Sequence, residues 1–425
     1  MLIEGRLVNP ERIVSAQIRV EGDRIIEVGP QLGVADRRFN DDCLIFAGFG
    51  DIHIHARDDV SGRECYKEDF STAANAAVNG GVVHVADMPN NHVSPIDDDS
   101  YAAKRRVVEE RRVPIHITLY AGIGPGTHPL TRPVPYKVYM GPSVGELYFK
   151  TLRQLDETLA DYRGQAVSFH CEDPEMMDQH KSAATHEQRR PSECEVSATS
   201  FALLMIEKYD LTGKLCHYSV EAGIPLIRAA KDRGLRVTAE VTPHHLYFDE
   251  SDITDTNRGL MQMNPPLRAT HDRLAMLSAL RDGTLDYLAT DHAPHTLEEK
   301  ARGISGQPHL DTYAAFVTWL IAKQNFTPEQ VASFCSAKPG EFVNPYCVPF
   351  RFGRIEPGYT ASLTVLNMSR PCTVSRENLF TKCGWSPFEG VTFPGSLEAI
   401  MLCGEWASVK QQSEGAINVA RRSGS

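Results

Sequence analysis

Residues 46–55 read Phe46-Ala47-Gly48-Phe49-Gly50-Asp51-Ile52-His53-Ile54-His55, an apolar run that ends in two histidines. Seven more apolar runs of strand length follow it, at residues 82–88, 115–120, 136–140, 166–170, 214–217, 236–241 and 285–290. Stretches rich in Ala, Leu, Arg and Glu fall between them, at residues 71–78, 101–111, 196–208 and 271–280. Strands that alternate with helices predict a parallel sheet, and eight such units predict a closed (β/α)8 barrel of the α/β class.

A doubly wound open sheet is the alternative architecture for this pattern. It is disfavoured because no GxGxxG turn follows the first predicted strand. Both ends of the chain have a different character. Residues 18–28 predict a hairpin with a Gly-containing turn, and residues 362–366 and 397–402 predict further strands. We therefore expect a small β-sandwich domain built from residues 1–46 and 345–425, around a barrel at residues 47–344.

The charge balance limits the classes of partner. Lys and Arg total 44 against 55 Asp and Glu, a formal net charge of −11 with no basic tract, which argues against a nucleic-acid or anionic-membrane partner. No apolar run approaches the ~20 residues of a membrane span, and the first residues lack the features of a secretory signal. The ten cysteines are scattered without a CxxC pair. We expect a cytoplasmic protein with reduced cysteines that pack in the core.

Five predicted strands carry a possible metal ligand at or near an end, which is where barrels keep their catalytic groups. His53 and His55 share a face of the first strand, because side chains alternate along a strand. The other candidates are Lys137, His170, His217 and Asp291. If His170 and His217 face the site, alternation turns Cys171 and Cys216 away from it.

Each candidate also has a structural interpretation. A single strand-end histidine is more often a core residue, Asp291 could cap a helix, and Lys137 could be a solvated strand end. Five strands would then carry such residues at their ends by chance, so we favour a metal site. The other histidines lack this support and are expected to be structural: His84, His116, His180, His186 and His271, with His244 and His245 structural or supporting.

Several segments resemble the dihydroorotase family and occur in that family's order. They are residues 48–57, 67–69, 80–81, 88–90, 264–268, 291–295 and 386–390, and they span nearly the whole chain. The resemblance implies a zinc-dependent cyclic-amide hydrolase that interconverts dihydroorotate and carbamoyl-aspartate in pyrimidine synthesis, a small-molecule substrate and a possible homodimer.

The resemblance also implies roles for the candidate residues. His53, His55 and Asp291 would hold one zinc, His170 and His217 the other, and carboxylated Lys137 would bridge the binuclear centre. A zinc pair lowers the pKa of a bridging water towards ~7, and Asp291 would pass its proton to the leaving nitrogen. Arg57, Asn90 and His295 would grip the substrate carboxylate, Asn264 the ring, and residues 301–308 would form a lid.

Dihydropyrimidinases, hydantoinases and allantoinases remain alternatives, because they share the metal ligands. Dihydropyrimidinases place a substrate-binding tyrosine in the loop beyond the bridging lysine, where this chain has Gly141-Pro142-Ser143, while Tyr139 lies within the predicted strand. The sequence departs from the family at Asn91, at residues 58–60 and at Ser362. A catalytically inactive scaffold is a further alternative, although every ligand position is filled.

Overall fold

The computed structural model describes residues 1–141 and 147–408. Its strands are β1 (Leu2–Asn9), β2 (Arg12–Glu21), β3 (Arg24–Gly29), β4 (Arg37–Arg38), β5 (Cys43–Ala47), β6 (Phe49–Ile54), β7 (Val82–Asp87), β8 (His116–Leu119), β9 (Ala121–Ile123), β10 (Tyr136–Tyr139), β11 (Ala166–His170), β12 (Thr212–Leu215), β13 (Val237–Val241), β14 (Tyr287–Leu288), β15 (Leu363–Asn367), β16 (Cys372–Thr373), β17 (Thr392–Phe393), β18 (Ser396–Leu402) and β19 (Glu405–Ala407).

The α-helices are α1 (Phe70–Asn79), α2 (Asp98–Arg111), α3 (Leu152–Leu159), α4 (Pro174–His180), α5 (His186–Arg189), α6 (Ser192–Lys208), α7 (Ile224–Asp232), α8 (Pro243–Tyr247), α9 (Thr270–Arg281), α10 (Leu297–Ala301), α11 (Tyr313–Gln324), α12 (Pro328–Val331) and α13 (Lys338–Val343). The four helical stretches expected from composition correspond to α1, α2, α6 and α9.

The strands of the central part pair in parallel. One sheet has the order β6-β7-β8 and another the order β14-β13-β12-β11-β10-β9. Only Tyr120 separates β8 from β9, so the two sheets meet along one stretch of chain. At the other margin, a parallel bridge joins Ile54 to His292 just after β14. All eight predicted strands are therefore present, and their carboxyl ends lie at one edge of the parallel sheets.

Local sequence sets where α1 begins and ends. The Asp69 side chain accepts hydrogen bonds from Ser71 N and Thr72 N, both at 2.9 Å, which satisfies free N–H groups of the first turn. Gly80 and Gly81 end the helix. Gly81 has a φ of 75°, and a Cβ at Gly80 would lie 1.8 Å from the Leu310 carbonyl oxygen. The Gly-Gly pair thus lets the helix turn into β7 against a neighbouring backbone.

Both ends of the chain contribute to one mixed sheet of order β19-β18-β15-β5-β1-β2-β3, with β4 paired to β1. The predicted hairpin is β2 with β3, and Gly22 in its turn has a φ of 55°. Strand β15 joins the two ends of the chain, because it runs antiparallel to β5 along residues 43–47. A separate cluster of buried apolar residues, which includes Ile18, Ile45 and Val365, forms the hydrophobic core of this sheet.

Hydrogen bonds of buried hydroxyl groups fix the mixed sheet to the central part of the chain. Thr364 Oγ1 on β15 accepts from Phe49 N at 3.1 Å and donates to Gly81 O at 2.6 Å. Ser336 Oγ donates to Ala47 O at 2.7 Å. Both side chains are buried, so a lost bond leaves a polar backbone group without water.

No helix among residues 1–141 and 147–408 combines the length and the apolar character needed to cross a membrane.

Replacing Thr364 with valine keeps its shape and removes both hydrogen bonds. We expect the free energy of unfolding to fall by about 1–3 kcal/mol, because the Phe49 N–H and the Gly81 carbonyl lose a buried partner. Denaturant unfolding would measure the change. Thr373→Val is the control, since that hydroxyl is exposed and lies 2.8 Å from the exposed Thr392 hydroxyl. Equal stability of the two variants would contradict the prediction.

Candidate metal centre and substrate cavity

Three predicted ligands meet at the carboxyl end of β6. His53 Nε2 lies 3.2 Å from Asp291 Oδ1, and His55 Nε2 lies 3.0 Å from the same oxygen. His53 Nδ1 contacts the Glu240 carboxylate and His55 Nδ1 donates to Asn90 Oδ1 at 2.7 Å. Each Nδ1 therefore carries the proton, which leaves a lone pair on each Nε2 facing the Asp291 carboxylate.

A second pair lies beside them at the ends of β11 and β12. His170 Nδ1 is 2.9 Å from His217 Nε2, while His170 Nε2 donates to Glu172 Oε2 at 2.7 Å. The imidazole ring of His217 is 5.3 Å from that of His53, measured between centroids. All four histidines and Asp291 thus form one cluster.

The histidine nitrogens and the Asp291 oxygen that face one another in the cluster are hydrogen-bond acceptors, and too few protons lie between them to pair them all. Burial lowers the pKa of His53, His55, His170 and His217, so their rings are neutral, and it raises the pKa of Asp291 to about 7. A proton on Asp291 could bridge to one histidine lone pair only. Ligand atoms of His53, His217 and Asp291 lie within 4.8 Å of one another. Neutral imidazoles around a carboxylate are a suitable donor set for a divalent zinc-like cation.

Lys137 lies inside the same cluster but does not touch the cavity. It is fully buried on β10, and its Nζ donates to Cys216 Sγ at 2.8 Å. The expectation that Cys216 faces away is therefore wrong. Strand β12 ends at Leu215, and His217 has a φ of 36°, so strand alternation no longer applies and both residues turn inward. Cys171 remains buried in the core, as expected.

Glu240 holds the cluster together, and the sequence analysis missed it. It lies on β13, and its Oε1 contacts His53 Nδ1 and accepts from His217 N at 3.1 Å. Lys214 on β12 pairs with its other oxygen. A carboxylate one residue before the end of a predicted strand was the available signal, because such a group must find a charged partner when it is buried.

Glu172 supports His170 in the same way. Burial alone would raise its pKa, but Arg190 and His170 together lower the pKa of Glu172 to about 2. An ionised carboxylate in this position holds the proton on His170 Nε2, which keeps the lone pair on Nδ1 directed at His217.

A cavity of about 330 Å³ opens above the cluster. Eight of the ten predicted site residues line it: His53, His55, Arg57, Asn90, His170, His217, Asn264 and Asp291. Lys137 and His295 lie behind the cavity wall. Tyr139, Ala293 and the loop from Gly303 to Gly306 complete the lining.

Arg57 lines this cavity, and part of its guanidinium group has no hydrogen-bond partner among the described residues. It is buried, its backbone adopts a left-handed φ of 58°, and its Nη2 lies 3.2 Å from His295 Nε2. Among the described residues, its Nε and Nη1 have no hydrogen-bond partner. Because Nδ1 of His295 lies 3.2 Å from Glu299 Oε2, the histidine donates there and accepts from Arg57. His295 thus orients the guanidinium from behind instead of lining the cavity.

The two asparagines differ in what they offer a ligand. Asn90 uses its oxygen to fix His55, which leaves its amide N–H groups for the cavity. Asn264 Oδ1 is buried with no partner in the described part of the chain, so it offers an acceptor. A guanidinium, an amide donor and an amide acceptor around one cavity suit a small ring with a carboxylate and an N–H group.

Tyr139 is a cavity residue that the sequence patterns did not assign to the site. It lies within a strand, as predicted, and is the last residue of β10; it also lines the cavity, and its hydroxyl has no partner among the described residues. The loop beyond the lysine, at residues 142–146, lies outside the described residues. Strand alternation places Tyr139 on the same face as Lys137, which was the available signal.

The loop expected to act as a lid forms one wall of the cavity and is held from behind. Lys300 Nζ donates to the carbonyls of Gln262, Ile304 and Gly306 at 2.7, 2.8 and 2.7 Å. Gln262 Nε2 donates to Ser305 Oγ at 3.1 Å. These contacts give the wall a defined shape.

The departures from the family pattern have structural partners outside the cavity. Asn91 Oδ1 contacts Lys104, Asp58 Oδ2 accepts from Arg111 Nε at 2.9 Å, and Asp59 Oδ2 accepts from Val93 N at 2.8 Å. None of these three residues is among those that line the cavity. They fix the loop that carries Arg57.

The chain is similar over nearly its whole length to proteins named dihydroorotase. It is 29% identical to that of Macrococcus caseolyticus over 438 residues, with 96% of this chain and 98% of the relative covered. It is also 29% identical to that of Pyrococcus furiosus over 410 residues, with 95% and 92% covered.

Solved structures of similar fold carry other names. An L-hydantoinase (dihydropyrimidinase) from Arthrobacter aurescens aligns with a TM-score of 0.88 at 22% identity, over 98% of this chain and 97% of that one. A dihydropyrimidinase from Brevibacillus agri aligns with a TM-score of 0.82 at 20% identity, over 96% and 95%. At these identities the likeness concerns the fold.

The family described as the amidohydrolase family matches residues 44–407, which include every residue of the cluster and the cavity. The chain therefore belongs to the amidohydrolase family.

Proposed function

We propose that this protein is a dihydroorotase, which reversibly hydrolyses the cyclic amide of dihydroorotate to carbamoyl-aspartate. The observation that carries the proposal is Arg57. This residue lines the cavity beside the histidine cluster, and two of its buried guanidinium nitrogens have no partner in the described part of the chain. A buried cation without an anion is costly, and a substrate carboxylate would supply the missing partner. The curated names of the relatives support the same substrate.

The proposal includes a closed barrel at residues 47–344 and a β-sandwich from the two chain ends. The bridge between Ile54 and His292 and the single residue between β8 and β9 support closure. The shared sheet of β1–β5 with β15, β18 and β19 supports the second unit, whose last part, residues 409–425, lies outside the described residues.

We further propose that the cluster holds two zinc ions. His53, His55 and Asp291 would hold one, His170 and His217 the other, and Lys137, carboxylated on Nζ, would bridge them. When bound, the metal would supply a water of low pKa and polarise the ring carbonyl. Lys137 is buried with a thiol instead of a carboxylate beside its amine, which is consistent with a modified lysine.

The side chains of the cavity then have separate tasks. Arg57 and the amide of Asn90 would bind the carboxylate, and Asn264 Oδ1 would accept a ring N–H. Asp291, whose pKa is raised by burial to about 7, would take the proton of the attacking water and deliver it to the leaving nitrogen. Because hydrolysis and ring closure share one transition state, the same groups would serve both directions.

A hydantoinase or dihydropyrimidinase activity is the second candidate. It is favoured by Tyr139, which lines the cavity and whose hydroxyl, without a partner among the described residues, could bind an uncharged ring. Arg57 distinguishes the candidates, because an uncharged ring would leave its guanidinium without a counter-charge.

Turnover of four rings by zinc-loaded protein would test the proposed function. We expect hydrolysis of dihydroorotate, and little or none of dihydrouracil, hydantoin and allantoin. Activity should fall to the detection limit after chelation and in His53→Ala, and persist in His271→Ala, whose side chain is 67% exposed. Turnover of uncharged rings alone would refute the dihydroorotase proposal and retain the hydrolase chemistry.

Arg57→Met should separate carboxylate recognition from chemistry. Loss of two charge-assisted hydrogen bonds should lower kcat/KM for dihydroorotate by about 100-fold or more, with any slow turnover of dihydrouracil unchanged. Arg57→Lys should recover part of the loss, since it restores the charge but not the fork. Arg153→Met, at a side chain that is 87% exposed, provides the control. A similar loss on both rings would argue against a carboxylate contact.

Glu240→Gln should weaken zinc binding by about 10- to 100-fold, because it no longer fixes the proton on His53 Nδ1. Competition with a chromophoric chelator would measure the affinity. In Glu240→Gln the Lys214 ammonium is left without its ion-pair partner. The double variant Lys214→Met/Glu240→Gln removes this ammonium, so it should recover the stability of the fold but not the affinity for zinc. Glu250→Gln, at an exposed position, is the control. Full affinity in Glu240→Gln would contradict the positioning role.

A further inference from the structure

Tyr139 lines the substrate cavity and carries a buried hydroxyl group. The side chain is 3% exposed, and its oxygen has no hydrogen-bond partner in the described part of the chain. Buried hydroxyl groups are nearly always paired, because an unpaired one loses its bonds to water without replacement. Since Tyr139 is one of the residues that line the cavity beside the histidine cluster, a molecule bound there would supply the missing partner.

The position of the ring indicates which part of the substrate that is. The Tyr139 ring centroid is 5.2 Å from Lys137 Nζ and 6.2 Å from the centroid of the His170 ring. It therefore stands at the ligand cluster, where the reacting carbonyl must lie. The carboxylate, by contrast, already has donors in Arg57 and Asn90.

We propose that Tyr139 is a catalytic residue whose hydroxyl donates a hydrogen bond to the oxygen of the ring carbonyl under attack. This inference rests on the proposed function. As the water oxygen bonds to the carbonyl carbon, the C=O electron pair moves to the oxygen, and the Tyr139 O–H stabilises it there. The C–N bond then breaks and the nitrogen takes the proton held by Asp291. Tyr139 keeps its own proton throughout, so it acts by position and polarity.

Tyr139→Phe removes the hydroxyl and little else. We expect kcat for dihydroorotate to fall on the order of 100-fold, as for other single donors to a developing oxyanion, with KM changed by less than about threefold. The thermal midpoint should not fall, because no protein hydrogen bond is lost. Zinc content should equal that of the wild type.

Tyr136→Phe is the matched control on the same strand. Its hydroxyl accepts a hydrogen bond from Leu130 N at 2.7 Å, away from the cavity. We expect the opposite result, a lower thermal midpoint with unchanged kcat. The two variants together separate loss of a hydroxyl in the core from loss of one at the substrate.

The outcomes distinguish this inference from the proposed function. Wild-type activity with an equally active Tyr139→Phe would overturn the inference and leave the function intact. A change in KM alone would also overturn it, since the hydroxyl would then bind the ground state. If the wild type hydrolyses only uncharged rings, the same comparison on those rings tests the hydroxyl. Absence of turnover on all four rings would overturn both proposals.

Discussion

The candidate site depends on one buried carboxylate. Glu240 receives the ring N–H of His53, the backbone N–H of His217 and the ammonium of Lys214, so it connects β6, β12 and β13 beneath the cavity. Without Glu240, the lone pair on His53 Nε2 would not be fixed in direction. His53 and His217 would also lose the hydrogen-bond acceptor that they share. Lys214 makes the burial of this carboxylate possible, because a buried charge needs an opposite charge to replace its lost contacts with water. The geometry of the cluster thus depends on an ion pair that is not part of the cavity lining.

Much of this architecture could be predicted from the chain alone. Eight apolar runs, separated by helix-forming stretches, gave the parallel strands. The histidines that end β6 and β11 and the aspartate after β14 were expected near one another, because the carboxyl ends of parallel strands share an edge. Arg57, Asn90 and Asn264 line the cavity, and their expected contacts with the substrate stay a prediction.

The residues that escaped prediction share a physical reason. Cys216 and His217 follow the end of β12, where a left-handed backbone at His217 replaces strand alternation, and no pattern of apolar residues reveals such a turn. Glu240 and Tyr139 lie within predicted strands. A strand pattern predicts their place in the sheet but does not indicate a role in the site. Their roles become visible only from what their polar atoms touch or lack. His295 contacts the Arg57 guanidinium and is not among the residues that line the cavity, so its expected contact with the substrate carboxylate stays a prediction.

The loop from Gly303 to Gly306 is shaped by a residue that does not face the cavity. The Lys300 ammonium donates hydrogen bonds to the loop carbonyls of Ile304 and Gly306 and to that of Gln262, with donor–acceptor distances of 2.7 to 2.8 Å. The dimensions of the cavity therefore depend partly on a residue outside its lining. A substitution of Lys300 can change which substrates fit, while the wall residues Ile304 and Ser305 stay the same. A comparison of pocket linings alone would not detect that divergence.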